Sequence, residues 1–117
     1  MVNYSRSGPA AGRTTMDRAF AALSDPTRRA IVARLARGEA TVSELAAPFP
    51  VSLPAISKHL KVLEEAGLMA RSKQGRVHRC RLVPRALKQA EGWIGERRRV
   101  WEHRLDALGA HLQEGDR

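Results

Sequence analysis

The chain has 117 residues, 43% of them hydrophobic and only 4% aromatic. That fits one domain with a modest core of Ala, Leu, Val and Ile. Lys and Arg outnumber Asp and Glu 21 to 12, a formal net charge of +9, and such an excess draws a domain toward a polyanion. The single cysteine, Cys80, excludes an internal disulfide and suits a reducing cytoplasm. No apolar run approaches the ~18 residues of a membrane helix, and the N-terminal stretch lacks the apolar core of a secretory signal.

Residues 1–14, rich in Gly, Ser, Arg and Ala, are expected to form a flexible basic arm. The domain is expected over 15–113, followed by a tail at 114–117. A first helix is expected from Thr15 or Met16 to Leu23, with Phe20 and Leu23 facing inward. Asp25 is placed to cap a second helix and Pro26 to be its first residue. That helix continues to about Arg37, with Ile31 and Leu35 in the core, and Gly38 ends it. Thr41-Val42-Ser43-Glu44 spells a capping box, in which hydroxyl and carboxylate each satisfy an end N–H. It starts a short helix from Val42 to Ala47, which stops at Pro48-Phe49-Pro50.

The next segment, VSLPAISKHLKVLEEAGL (51–68), carries the most information. Ser52 precedes a periodic run and can cap it. Ile56, Leu60 and Leu63 follow at helical spacing as a buried stripe, and Gly67 ends the helix, expected over about 53–66. Two helices joined by a tight turn make a helix-turn-helix unit. An anchored stripe behind an exposed face of hydroxyls and cations suits a helix lying in a DNA major groove. The exposed front would be Ser52, Leu53, Pro54, Ala55, Ser57 and Lys58, with Lys61 further along. Leu53 and Ala55 suit thymine methyls, Ser57 a base edge or a phosphate, and Lys58 a phosphate. His59 is open between phosphate contact and packing against the preceding helix. The front is poor in Arg, Asn and Gln, which gives more weight to shape readout by neighbouring arginines.

From about 68 to 82 the period changes to two, around a turn at Gln74-Gly75. This reads as a β-hairpin, a basic wing beside the recognition helix. Arg71, Lys73, Arg76 and Arg79 are its candidate phosphate contacts. His78, Cys80 and Leu82 share the inner face, and Arg79 and Arg81 the other. Cys80 is either a small hydrophobe or a thiol activated by Arg79, Arg81 and His78.

Pro84 opens a long helix, about 85–113, with a stripe of Leu87, Ala90, Ile94, Trp101, Leu105, Leu108 and Leu112 widened by Trp93 and Val100. The stripe exceeds what so small a domain can cover, so it is expected to pair with a second copy. Leu87, Trp93, Ile94, Trp101, Leu105, Leu108 and Leu112 are the candidate interface residues. No phosphate loop, nucleophile–base pair or paired buried carboxylates appear, so no catalysis and no cofactor are expected.

The sequence as a whole resembles the ArsR/SmtB class of bacterial winged-helix regulators. The likeness runs over roughly residues 16–113. It rests on FAALSDPTRRAI (20–31), TVSELA (41–46), LPAISKHLKVLEEAGL (53–68), the wing, and WIGERRRVWEHRLDALGAHL (93–112). The resemblance implies a mainly α (α+β) fold, a winged helix-turn-helix with a long C-terminal dimerisation helix. It implies a cytoplasmic, homodimeric repressor that binds double-stranded operator DNA, makes no use of a membrane, and is released by an effector not named by the sequence. Metal sensors of the class carry a cysteine box on the helix before the recognition helix, and that segment has no cysteine here. A second metal site of the class uses His and carboxylates on the terminal helix. His103 with Asp106 and His111 with Glu114 are the nearest equivalents, and solvated polar faces explain them more simply, so no metal is expected. A metal- or thiol-responsive sensor of the same fold, and a protein-interaction module that does not bind DNA, are the alternatives.

Overall fold

The structure, a computed structural model, describes the backbone of residues 9–115 and the side chains of residues 15–113. Its elements are α1 (Pro9–Leu23), α2 (Pro26–Leu35), β1 (Ala40–Thr41), α3 (Val42–Ala46), α4 (Leu53–Glu65), β2 (Met69–Gln74), β3 (Val77–Leu82) and α5 (Pro84–Gly115). This is the mainly helical, winged arrangement expected from the sequence pattern. Residues 1–8 of the expected arm, and residues 116 and 117 of the tail, lie outside the described residues. Helix α1 begins at Pro9 rather than near Thr15, so the rest of the expected arm is helical.

The helix ends follow the capping chemistry. Asp25 caps α2, its carboxylate accepting from the Arg28 N–H at 3.0 Å, with Pro26 in the first turn. The capping box of α3 is complete. The Glu44 N–H donates to the Thr41 hydroxyl at 3.1 Å, and the Thr41 N–H donates to the Glu44 carboxylate at 2.8 Å. The Ala55 N–H donates to the Ser52 hydroxyl at 3.3 Å and so starts α4. That helix ends on two bonds that reach back into its last turn, Leu68 N–H to the Leu63 carbonyl at 3.0 Å and Gly67 N–H to the Glu64 carbonyl at 3.1 Å. The pair requires a left-handed residue between them, and Gly67 supplies it at φ 75°. Helix α2 stops at Leu35, two residues before the expected Arg37. Arg37 and Gly38 continue only as tight turns, donating to the Arg34 and Leu35 carbonyls.

Ile31, Leu35, Leu45, Ile56, Leu60, Leu63, Leu68 and Cys80 form the centre of one core, with Ala19 and Ala22 of α1 and Ala86 of α5 at its edge. Phe20 is not in it. The ring is 38% exposed and meets Trp93 of α5 edge-on, with centroids 6.1 Å apart. The inward face of α1 is Ala19 and Ala22, whose small side chains let the helix approach the core closely, and Leu23 packs partly buried against the same core, as expected.

The sheet has three antiparallel strands in the order β1-β3-β2. Strand β1, only two residues long, has no counterpart among the expected elements. It pairs Ala40 with Cys80 and Thr41 with Arg79. In the hairpin, Arg71 faces Cys80 and Lys73 faces His78. The turn between β2 and β3 is Gly75-Arg76, one residue later than the expected Gln74-Gly75 because Gln74 still pairs with Val77; Gly75 at φ 63° gives a left-handed start suited to two-residue hairpin loops.

Helix α5 runs for 32 residues, about 48 Å at 1.5 Å per residue. Its first turns belong to the core. Ala86 and Ala90 are buried and Leu87 packs partly buried against the same cluster. Leu87 is therefore already partly covered by its own chain. Beyond it the apolar side chains are exposed, Ile94 at 49%, Trp101 at 61% and Leu105 at 56%.

Candidate nucleic-acid interface

Helix α4 turns Ile56, Leu60 and Leu63 fully into the core. The opposite surface therefore presents Ser52, Leu53, Pro54, Ser57, Lys58 and Lys61 to solvent, with Ala55 half-buried at its edge. Leu53 is an apolar residue displayed at the very start of the helix, 58% exposed.

The hairpin stands beside this face. Because paired residues share a face, Arg71, Lys73, His78 and Cys80 point toward α4. Ser72, Arg79 and Arg81 belong to the other face of the strands, with Ser72 at the rim of the groove. Ser57, Lys61, Glu64, Arg71, Ser72, Lys73 and His78 border an open groove of about 530 Å³ between helix and wing. Lys61 and Lys73 are exposed along it, and Arg76 is exposed at the tip of the turn.

Three expected contacts sit differently. His59 is half-buried and turned toward α2, its Nδ1 3.1 Å from Nη1 of Arg28 and 3.9 Å from the Asp25 carboxylate. Packing, not an outward pose, is its role in the fold. Arg71 is drawn inward, with a guanidinium nitrogen 3.8 Å from the Glu64 carboxylate and its Nε buried without a hydrogen-bond partner. It braces the wing against α4. Arg79 lies on the sheet face away from α4, opposite Thr41, where its charge reaches Glu44.

Electrostatics at the helix starts follows from these bonds. The Arg28 N–H holds the Asp25 carboxyl below its ordinary range, with help from the Arg28 charge. The N–H and hydroxyl of Thr41 do the same for Glu44. Cys80 moves the other way. Burial pushes its thiol up, and only Arg71 opposes that. Arg79 and Arg81, expected to activate the thiol, are on the far face of the strand.

Among the described residues no three His, Cys, Asp or Glu side chains come together as a metal site. His103, Asp106 and His111 are exposed along α5, and the Glu114 side chain lies outside the described residues. No described helix is long and apolar enough to cross a membrane.

One residue has a role that the sequence pattern did not single out. Arg28 donates through Nε to the Ala22 carbonyl at 2.6 Å, through Nη2 to the Ala21 carbonyl at 3.4 Å, and through Nη1 to His59. Its neighbour Arg29 donates to the Leu23 carbonyl at 2.8 Å. The signal is present in SDPTRR: two arginines shortly after a helix end, where the last carbonyls lack intrahelical donors.

A helix-turn-helix domain family matches residues 23–71 of the chain. Among curated proteins, the HTH-type transcriptional regulator Rv2034 of Mycobacterium tuberculosis is 62% identical over 53 residues, 45% of this chain and 50% of that protein. The chain thus spans half the length of that relative. The arsenical resistance operon repressor of Escherichia coli is 36% identical over 94 residues, 80% of each chain. Among solved structures, the ArsR family transcriptional regulator RHA00566 superposes with a TM-score of 0.73 at 41% identity, covering 87% of this chain and 97% of that one.

Proposed function

Because the chain belongs to the ArsR family of helix-turn-helix transcriptional regulators, we propose that it is a homodimeric repressor that binds operator DNA sequence-specifically. The observation that carries this reading is the exposed face of α4 beside a basic wing. Ser57, Lys58 and Lys61 are exposed along the helix, Lys73 stands across the groove from Ser57 and Lys61, and Arg76 is exposed at the tip of the hairpin. In this reading the start of α4 enters the major groove. Leu53, Pro54 and Ala55 meet base edges and methyls, Ser52 and Ser57 supply hydroxyls, and Lys58 and Lys61 meet phosphate. Lys73 and Arg76 hold the flanking backbone. Arg71 acts by fixing the wing, while His59 and Arg79 fall outside the contact set.

The second copy attaches through α5. Ile94, Trp101, Leu105, Leu108 and Leu112 form an exposed apolar face along one helix, continued by Trp93. The Trp93 ring is already shared with Phe20 and, at 4.7 Å, with the Arg97 guanidinium. Two copies would present two reading helices to a two-fold site. The protein acts in the cytoplasm, without catalysis and without a membrane, and an effector releases it from DNA. Cys80 is not the sensor in this account, because it is fully buried.

The test is a mobility shift with the DNA upstream of the protein's own gene. A retarded complex at about 10⁻⁸ M that yields to the same unlabelled duplex but not to unrelated DNA is expected. A complex that unrelated DNA displaces equally well contradicts sequence-specific binding.

A further inference from the structure

Arg28 touches three helices at once. Its own N–H and side chain sit on α2. Nε and Nη2 hold carbonyls in the last turn of α1, and Nη1 meets Nδ1 of His59 on α4. Arginine has no acceptor, so Nδ1 must be the acceptor and the ring proton lies on Nε2. The far side of α1 leans on the terminal helix through the Phe20–Trp93 ring contact. One guanidinium therefore stands between the helix that rests on α5 and the helix that presents Ser57 and Lys58.

We propose that Arg28 is a positioning residue for DNA recognition, whose planar fork ties the pose of α4, through His59, to α1 and so to the terminal helix. The proposal rests on the DNA-binding reading above. The geometry is specific to arginine. A lysine at the same place keeps the charge but cannot span Ala22 and His59 with fixed, divergent donors. The receptor is specific too. Asparagine at position 59 carries an oxygen where Nδ1 stands, whereas leucine offers the bulk without the acceptor.

The experiment compares the parent with Arg28→Lys, Arg28→Gln, His59→Leu and His59→Asn. Fluorescence anisotropy gives the affinity for a duplex selected by the parent from a random pool, and for a scrambled duplex, at several salt concentrations. Amide hydrogen exchange gives the protection of residues 56–63 relative to residues 77–82. Arg28→Lys and His59→Leu should each lower the preference for selected over scrambled DNA about tenfold, the loss of one or two charge-assisted bonds. The salt slope should not change, and exchange in α4 should quicken relative to the strand. His59→Asn should stay within about twofold of the parent. Should Arg28→Lys fail to fold, the His59→Leu and His59→Asn pair carries the test. Unchanged preference and unchanged exchange in Arg28→Lys overturn the proposal. So does a salt slope lowered by about one in Arg28→Gln with preference intact, which marks a phosphate contact instead. If the parent itself shows no preference, the DNA reading fails by itself and the exchange data still decide the positioning claim.

Discussion

Single side chains in this protein act through donors and acceptors at helix ends more than through charge pairs on the surface. Asp25 and Glu44 are both held ionised by N–H groups at helix starts, and the stability they give has a definite sign with pH. It is complete above the ordinary carboxylate range, because both states are then ionised. It is lost as pH falls through that range to the lowered values of the folded state. Denaturant midpoints measured from about pH 5 down to about pH 2 should therefore fall, and Asp25→Asn, which can still cap, should flatten that fall. An unchanged slope in the variant contradicts the assignment. Cys80 makes the opposite statement. A fully buried thiol raised by burial should react with an aromatic disulfide reagent only as fast as the domain opens. Cys80→Ser should destabilise the domain by about 1–3 kcal/mol, because it buries a hydroxyl without an arranged partner. Rapid labelling of the native protein would falsify the buried-thiol account.

Elements whose signals are local are legible in the sequence alone. The α4 stripe, the capping box of α3, the Asp25-Pro26 start of α2 and the hairpin turn all depend on residues within a few positions of each other. The features that are not legible depend on how elements lean together. Phe20 has helical spacing fit for a core, and only the rotation of α1 against α5 puts Ala19 and Ala22 there instead. The sequence leaves His59 open between phosphate contact and packing, and only the approach of α2 brings Arg28 beside it. Arg79 and Arg71 are equally basic in sequence, but strand alternation and the Glu64 carboxylate separate them. Strand β1, at two residues, is too short to carry a period. These placements make an element-scale prediction about the wing. Lys73→Gln and Arg76→Gln should each lower the log–log salt slope of DNA binding by about one. Arg79→Gln, on the far face, should leave it where it was. Gly67, at φ 75°, should cost about 1–2 kcal/mol when replaced by Ala. Thermal unfolding measures that cost.

At the scale of the whole molecule, a small winged domain carries a helix too long for it. Leu105 and Leu108 are more than half exposed, and no described part of the chain covers them. In the proposed dimer a second copy removes that surface from water. Leu105→Glu would set a carboxylate against an apolar partner, and light scattering should then report monomer or aggregate in place of dimer. A dimer that survives the change removes Leu105 from the interface. The domain and the extra helix belong to one design if the dimer spaces two α4 helices along DNA, and that makes the outer face of α4 the centre of the account. The most direct measurement is anisotropy of the parent and of Ser57→Asp on the selected and scrambled duplexes at one moderate salt concentration. The account predicts that the parent prefers the selected duplex by a factor of about 10³ or more and that the variant loses most of that preference. Equal binding of the selected duplex by parent and variant would contradict it.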